Sequence, residues 1–195
     1  MTLVAMDLTL LGYFPKERFP PPQYLLDHGV VEVGSVSLCL ASGPDGWMEA
    51  WEHNEWGYYR DPHTAWSMVP GDRRSDFRLY AFELYPAEFD EGRESALPTP
   101  KLDIVPLPST FRFIGWDAVS RSAGMEFECS PLSCNHMVEE IRVNEHCLVD
   151  FAEARGLALT ADESGCEPGP YHVVKVWRHS TEGEAPGTTL NGAVL

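Results

Sequence analysis

The alternation of apolar and polar positions changes several times along this chain, and each change marks an element. Phe77 to Tyr85 (FRLYAFELY) is the plainest strand. Phe77, Leu79, Ala81, Glu83 and Tyr85 take one face, and Tyr80, Phe82 and Leu84 take the other. Apolar side chains on both faces predict a strand inside a sheet rather than at its edge. Tyr171 to Arg178 (YHVVKVWR) alternates with period two and predicts a closing strand. There the alternation sends Lys175 and Arg178 to opposite faces, so each is expected to find its own ion pair. Val30 to Ala41 predicts a period-two strand with Val36, Leu38 and Leu40 inward. Leu3 to Phe14 predicts a strand or strand pair, ended by Pro15 and by Pro20-Pro21-Pro22 because proline lacks a ladder N–H. Phe111 to Val119 and Met125 to Cys129 predict two further strands.

Helical spacing is scarce. Cys147 to Leu159 predicts one short helix with Leu148, Phe151, Ala152 and Leu159 on its apolar face, weakened near its end by Gly156. Ser42-Gly-Pro-Asp-Gly46 and Pro70-Gly-Asp72 read as turns. Residues 86–110 hold five prolines and an acidic set, and read as a long surface connection. From His179 onward the chain is polar and reads as a disordered tail. The elements add up to an α+β fold: one domain over residues 1–178, a mostly antiparallel sheet and one or two short helices.

Charge changes the picture more than composition does. Thirty acidic residues face fourteen basic ones, a formal net charge of -16. That field repels nucleic-acid phosphates and anionic lipid, so neither is expected as a partner. It suits a dispersed, soluble protein, and also an acidic surface that docks on a basic protein partner. Five cysteines cannot all pair within one chain. The stretch Met1 to Asp7 has no basic region and is interrupted by Asp7, so a secretory leader is not expected. No apolar run approaches the ~20 residues that span a bilayer. Free thiols in a reducing cytoplasm are the simplest expectation.

Reactive side chains concentrate in two places. The first is Cys129 to Cys147, where Cys129, Cys134 and Cys147 stand with His136 and His146. Thiolate and imidazole are the donors that zinc prefers. The gaps of four and twelve residues between the cysteines differ from the short paired gaps of zinc fingers and ribbons. A zinc or iron site using Cys129, Cys134, His136 and Cys147 is one expectation. Cysteines packed as small hydrophobes are the other. The acidic neighbours Glu128, Glu139 and Glu140 oppose a nucleophilic thiolate. The second place is Trp47 to Trp66. Trp47, Trp51, Glu52, His53, Trp56 and His63 could line an aromatic pocket with an acid/base pair, or be core packing with an acidic edge.

The runs Ser130-Pro-Leu-Ser-Cys-Asn135, Val143-Asn-Glu-His-Cys-Leu148 and Glu167-Pro-Gly-Pro-Tyr-His-Val-Val-Lys-Val-Trp-Arg178 resemble a group of uncharacterised bacterial proteins of about this length. The resemblance covers mainly Phe111 to Arg178. It implies a bacterial, cytoplasmic protein and carries no activity. Phosphate-cradling glycine loops, a Gly-x-Ser-x-Gly elbow and a His-Glu-x-x-His pair do not occur. Three readings follow: an acidic interaction or regulatory protein without catalysis, a small metal-binding domain, and an enzyme built on the aromatic segment.

Overall fold

The computed structural model describes residues 8–37, 39–40, 42–47, 57–85, 103–120, 129–166 and 169–180. Four antiparallel strands form one sheet in the order β1-β2-β4-β3. They are β1 (Thr9–Glu17), β2 (Phe77–Leu84), β3 (Phe111–Ser120) and β4 (Tyr171–His179). The described helices are short: α1 (Gln23–Leu26), α2 (Pro62–Ser67), α3 (Pro131–Cys134) and α4 (Phe151–Thr160). This is the α+β, mostly antiparallel arrangement that the pattern predicts. None of these helices is long and apolar enough to cross a membrane.

The two strands with apolar side chains on both faces, β2 and β4, occupy the interior of the sheet. The closing strand is thus central in space although late in sequence. Lys175 and Arg178 do take opposite faces and separate partners, Glu83 at 3.7 Å and Glu32 at 2.5 Å.

β1 runs through Pro15, which pairs with Leu79, and does not stop there. The reason lies in the edge position. Tyr13 and Glu17 send their N–H groups outward, to the carbonyls of Tyr59 and Ser42. Pro15 shares that parity, so its missing N–H faces the outer edge and costs no ladder bond. The opposite edge is covered similarly, since Trp116 and Val149 exchange both backbone bonds at 3.0 Å. Register shifts at Leu10/Gly12 and Phe113/Gly115 bend the two edge strands.

Val30 to Ala41 departs from its predicted strand. Its described residues form an extended crossing segment outside the sheet, held by Val31 and Glu32 N–H on the Glu145 carbonyl and Gly34 N–H on the His146 carbonyl. Residues 33–37 are all buried, on both sides of the chain. Such a segment copies the apolar content of a strand without its ladder. Val36 is buried as expected, Leu40 is half-buried, and Leu38 lies outside the described residues.

The C-terminal helix is shorter than its pattern. Asp150 caps α4 by accepting from the Glu153 N–H at 3.0 Å, so Cys147 to Val149 precede the helix. Its buried residues are Ala154 and Leu157, whereas Leu159 is exposed and Ala152 faces solvent. Leu148 is buried, but ahead of the helix. In the predicted strand Met125 to Cys129, only Cys129 is described, and it lies in no strand. Residues 86–102 and 181–195 fall outside the described residues.

Candidate metal centre

Pairing places Lys16 beside Arg78, Tyr80 beside Arg178, and Asp117 beside Val174, so these side chains share one face of the sheet. Four ionisable side chains, Lys16, Arg78, Asp117 and Arg178, and the Tyr80 hydroxyl on a core face need partners. The crossing segment supplies them in two steps. Glu32 meets Arg178 and, at 3.8 Å, Arg78. Ser35 and Ser37 then serve Lys16 and Asp117.

Lys16 is 1% exposed. Its ammonium donates to the carbonyls of Ser35 and Ser37, the latter at 2.6 Å. Burial lowers its pKa to about 8, against the upward pull of Asp117, Cys134 and Cys39. Asp117 is fully buried and accepts from the Ser130 hydroxyl at 2.7 Å and from Ser35. Burial raises its carboxyl to about 6.

The same serines hold the cysteines. Ser37 Oγ accepts the Cys39 N–H at 3.3 Å and stands 3.9 Å from Cys134 Sγ. The Ser130 carbonyl accepts the Cys134 N–H at 2.8 Å, which closes α3. Ser120, the last residue of β3, takes the Cys129 N–H on its hydroxyl at 3.0 Å and gives its own N–H to the Cys129 carbonyl at 2.8 Å. Two separate segments therefore converge, one carrying Cys39 and the other Cys129 and Cys134. Cys39, Cys129 and Cys134 bring their sulfurs within 4.8 Å of one another, with Cys39 and Cys129 at 3.5 Å. Zinc–sulfur bonds of ~2.3 Å in a tetrahedron place sulfurs roughly 3.8 Å apart, so this triad is close to ligand spacing.

The thiols of Cys129 and Cys134 are pushed upward, first by burial and then by the neighbouring sulfurs. Two thiolates side by side repel each other. A cation placed between them reverses the sign of that interaction.

The structure brings together two of the four expected donors, Cys129 and Cys134, adds the Cys39 sulfur to them, and leaves His136 and Cys147 outside the triad. Cys147 is completely buried in an apolar cluster with Leu25, Val30 and Trp116, and lies outside the triad. Its φ of 57 closes a turn that Asn144 organises by accepting from His146 and Leu148 N–H. His136 is exposed, stacks on Tyr24 at 4.1 Å, and faces Glu139 at 3.5 Å. His146 sits between Glu32 and Glu145. Cys39 is the sulfur of the triad that spacing missed. It is 90 residues from Cys129, and its only sequence signal is its closeness to Ser35 and Ser37.

Of the aromatic segment, Trp51, Glu52, His53 and Trp56 lie outside the described residues. Trp47 is half-buried and packs edge-on against Phe14 at 6.0 Å, as a core side chain does. His63 is exposed in the first turn of α2. No family model, curated protein or solved structure matches this chain.

Proposed function

We propose that this protein binds zinc, or another thiophilic transition metal, through Cys39, Cys129 and Cys134. One observation carries the reading: the sulfur of Cys39 meets those of Cys129 and Cys134, some 90 residues further along the chain, with all three within 4.8 Å of one another. Thiolate donors select soft and borderline ions over magnesium or calcium. The serine shell around them is the kind of outer support that fixes ligand orientation. The three cysteines leave one tetrahedral place for another donor. The test is elemental analysis of protein purified under reducing conditions without chelator, followed by titration with zinc. About one equivalent of bound metal, lost on Cys39→Ser substitution, is the expected result. Less than about a tenth of an equivalent, with no shift in thermal stability on chelation, would remove the reading, because a structural metal contributes folding energy.

A second reading concerns a partner. The net charge of -16 favours a basic protein surface. Exposed Phe19 and Val31 line an open groove of about 400 Å³ beside Arg18 and the carboxylates Glu17, Glu32 and Asp76, which themselves pair with Arg73 or Arg178. Capture of a basic partner at low salt, lost at high salt, is the expected outcome. Equal capture at both salt levels would count against charge as its basis.

A further inference from the structure

The three sulfurs are not equivalent. Cys39 is exposed, whereas Cys129 and Cys134 are partly covered. Cys39 Sγ also stands only 3.5 Å from Cys129 Sγ, in hydrogen-bond contact. A disulfide needs ~2.05 Å between sulfurs, so the pair must close by about 1.5 Å. Side-chain rotation supplies displacements of that size, and the Cys39 side chain faces solvent. Cys147, by contrast, is sealed in the core, and Cys166 belongs to no sulfur cluster among the described residues.

We infer that Cys39 and Cys129 form an oxidant-reactive thiol pair, whose disulfide dismantles the proposed metal site. The oxidant is of the hydroperoxide class. The exposed Cys39 sulfur attacks one peroxide oxygen, the O–O bond breaks, and water leaves, giving Cys39 sulfenic acid. The Cys129 sulfur then attacks the Cys39 sulfur. The S–S bond forms, the S–O bond breaks, and the departing hydroxide takes the Cys129 proton to become a second water. Two thiols lose two electrons and the peroxide gains them. In the metal-loaded protein the two thiolates give up their electrons in the same sense. The two waters then draw their protons from solvent. Only Cys134 of the triad remains as a donor, so the ion leaves. The release half of the proposal rests on the metal reading; the disulfide half does not.

The experiment uses the full chain in two arms. In the metal-free arm, reduced protein receives a stoichiometric amount of hydrogen peroxide, is unfolded in denaturant and blocked there with an alkylating reagent, and is mapped by peptide mass. Three of the five cysteines are expected to alkylate, with Cys39 joined to Cys129. In the second arm, zinc-loaded protein is treated in the same way beside a chromophoric zinc indicator. Zinc release is expected to follow disulfide formation. The Cys129→Ser variant should trap Cys39 as a dimedone-reactive sulfenic acid, and Cys166→Ser should behave as the parent does. Five alkylated cysteines, a different pairing, or sulfinic acid as the main product would overturn the inference while leaving zinc binding intact. A clean Cys39–Cys129 disulfide in protein that never holds zinc would uphold the thiol pair and overturn the metal reading.

Discussion

Lys16 and Asp117, from the two edge strands of the sheet, are joined through Ser35, whose carbonyl accepts from the Lys16 ammonium while its hydroxyl donates to the Asp117 carboxylate. A residue of the crossing segment thus ties opposite sides of the fold and leads directly to Ser37 and Cys39. The polar centre and the sulfur triad are one construction. Without the serines the buried charges would lack partners, and without the charges the segment would have no anchor on the sheet.

The triad itself makes the sharpest prediction. Replacing Cys39, Cys129 or Cys134 by Ser removes a donor from the metal. Zinc affinity should fall by more than about 100-fold, beyond the 10–100-fold range of outer-shell changes. Cys147→Ser and Cys166→Ser should leave affinity within a few-fold of the parent. Competition titration against a chelator of known affinity measures the difference. A loss with Cys147→Ser equal to that with Cys39→Ser would place the ligands elsewhere.

Lys16 predicts a pH dependence of stability in reduced, metal-free protein. Its folded pKa is lowered from 10.5 to about 8. Between those values the unfolded lysine keeps its proton and the folded one sheds it, so stability rises with pH. From pH 7 to 8.5 the gain should be roughly 1 kcal/mol, measured by urea unfolding. Above pH 9 the raised thiols of Cys129 and Cys134 act in the opposite sense, since unfolded thiols ionise first. Lys16→Met should abolish the rise between pH 7 and 8.5. An unchanged slope would assign it to another group.

Glu32 and Arg178 form the second buried contact of the crossing segment, at 2.5 Å, with little exposure on either side. Removing one partner leaves the other charge in the core. Arg178→Leu should cost about 3–5 kcal/mol, and the double substitution Arg178→Leu with Glu32→Gln should recover part of that loss. Strict additivity in the double-mutant cycle would show that the two residues do not act as a pair.

Gly115 sits at the register shift of β3 with φ +147, and a Cβ there would lie 2.6 Å from Leu148 Cβ. Gly115→Ala therefore combines a left-handed backbone with a clash between two main-chain-anchored atoms. A loss of about 2–4 kcal/mol is expected by denaturant unfolding. Gly156→Ala meets nothing within 4 Å on the exposed side of α4 and should be neutral to stabilising by up to about 1 kcal/mol.

One central strand was legible in the sequence because apolar side chains on both faces leave a direct mark in FRLYAFELY; YHVVKVWR was legible as a closing strand, and its interior position between β2 and β3 was decided by the fold. The opposite faces of Lys175 and Arg178 follow from the same period. The crossing segment was not legible as such. Val30 to Ala41 has the composition of a strand, and its residues 33–37 are buried on both sides as a strand's are, so only their lack of a ladder partner tells them apart. Nor did Pro15 act as a terminator, because its edge parity depends on which neighbour β1 has.

The residues of the candidate metal centre divide in the same way. Sequence proximity exposed Cys129 and Cys134, and it also drew in Cys147 and His136, which the chain carries elsewhere. Donor sets read by spacing assume that ligands are local. Here the third sulfur arrives from residue 39, on a segment fixed by hydrogen bonds to strands far from it in sequence. The amino-acid order by itself determined which residue types are available and which stretches must be buried. Convergence of Cys39 on Cys129 and Cys134 was decided by the fold, because it depends on the path of one buried segment across a sheet face whose polar groups required it.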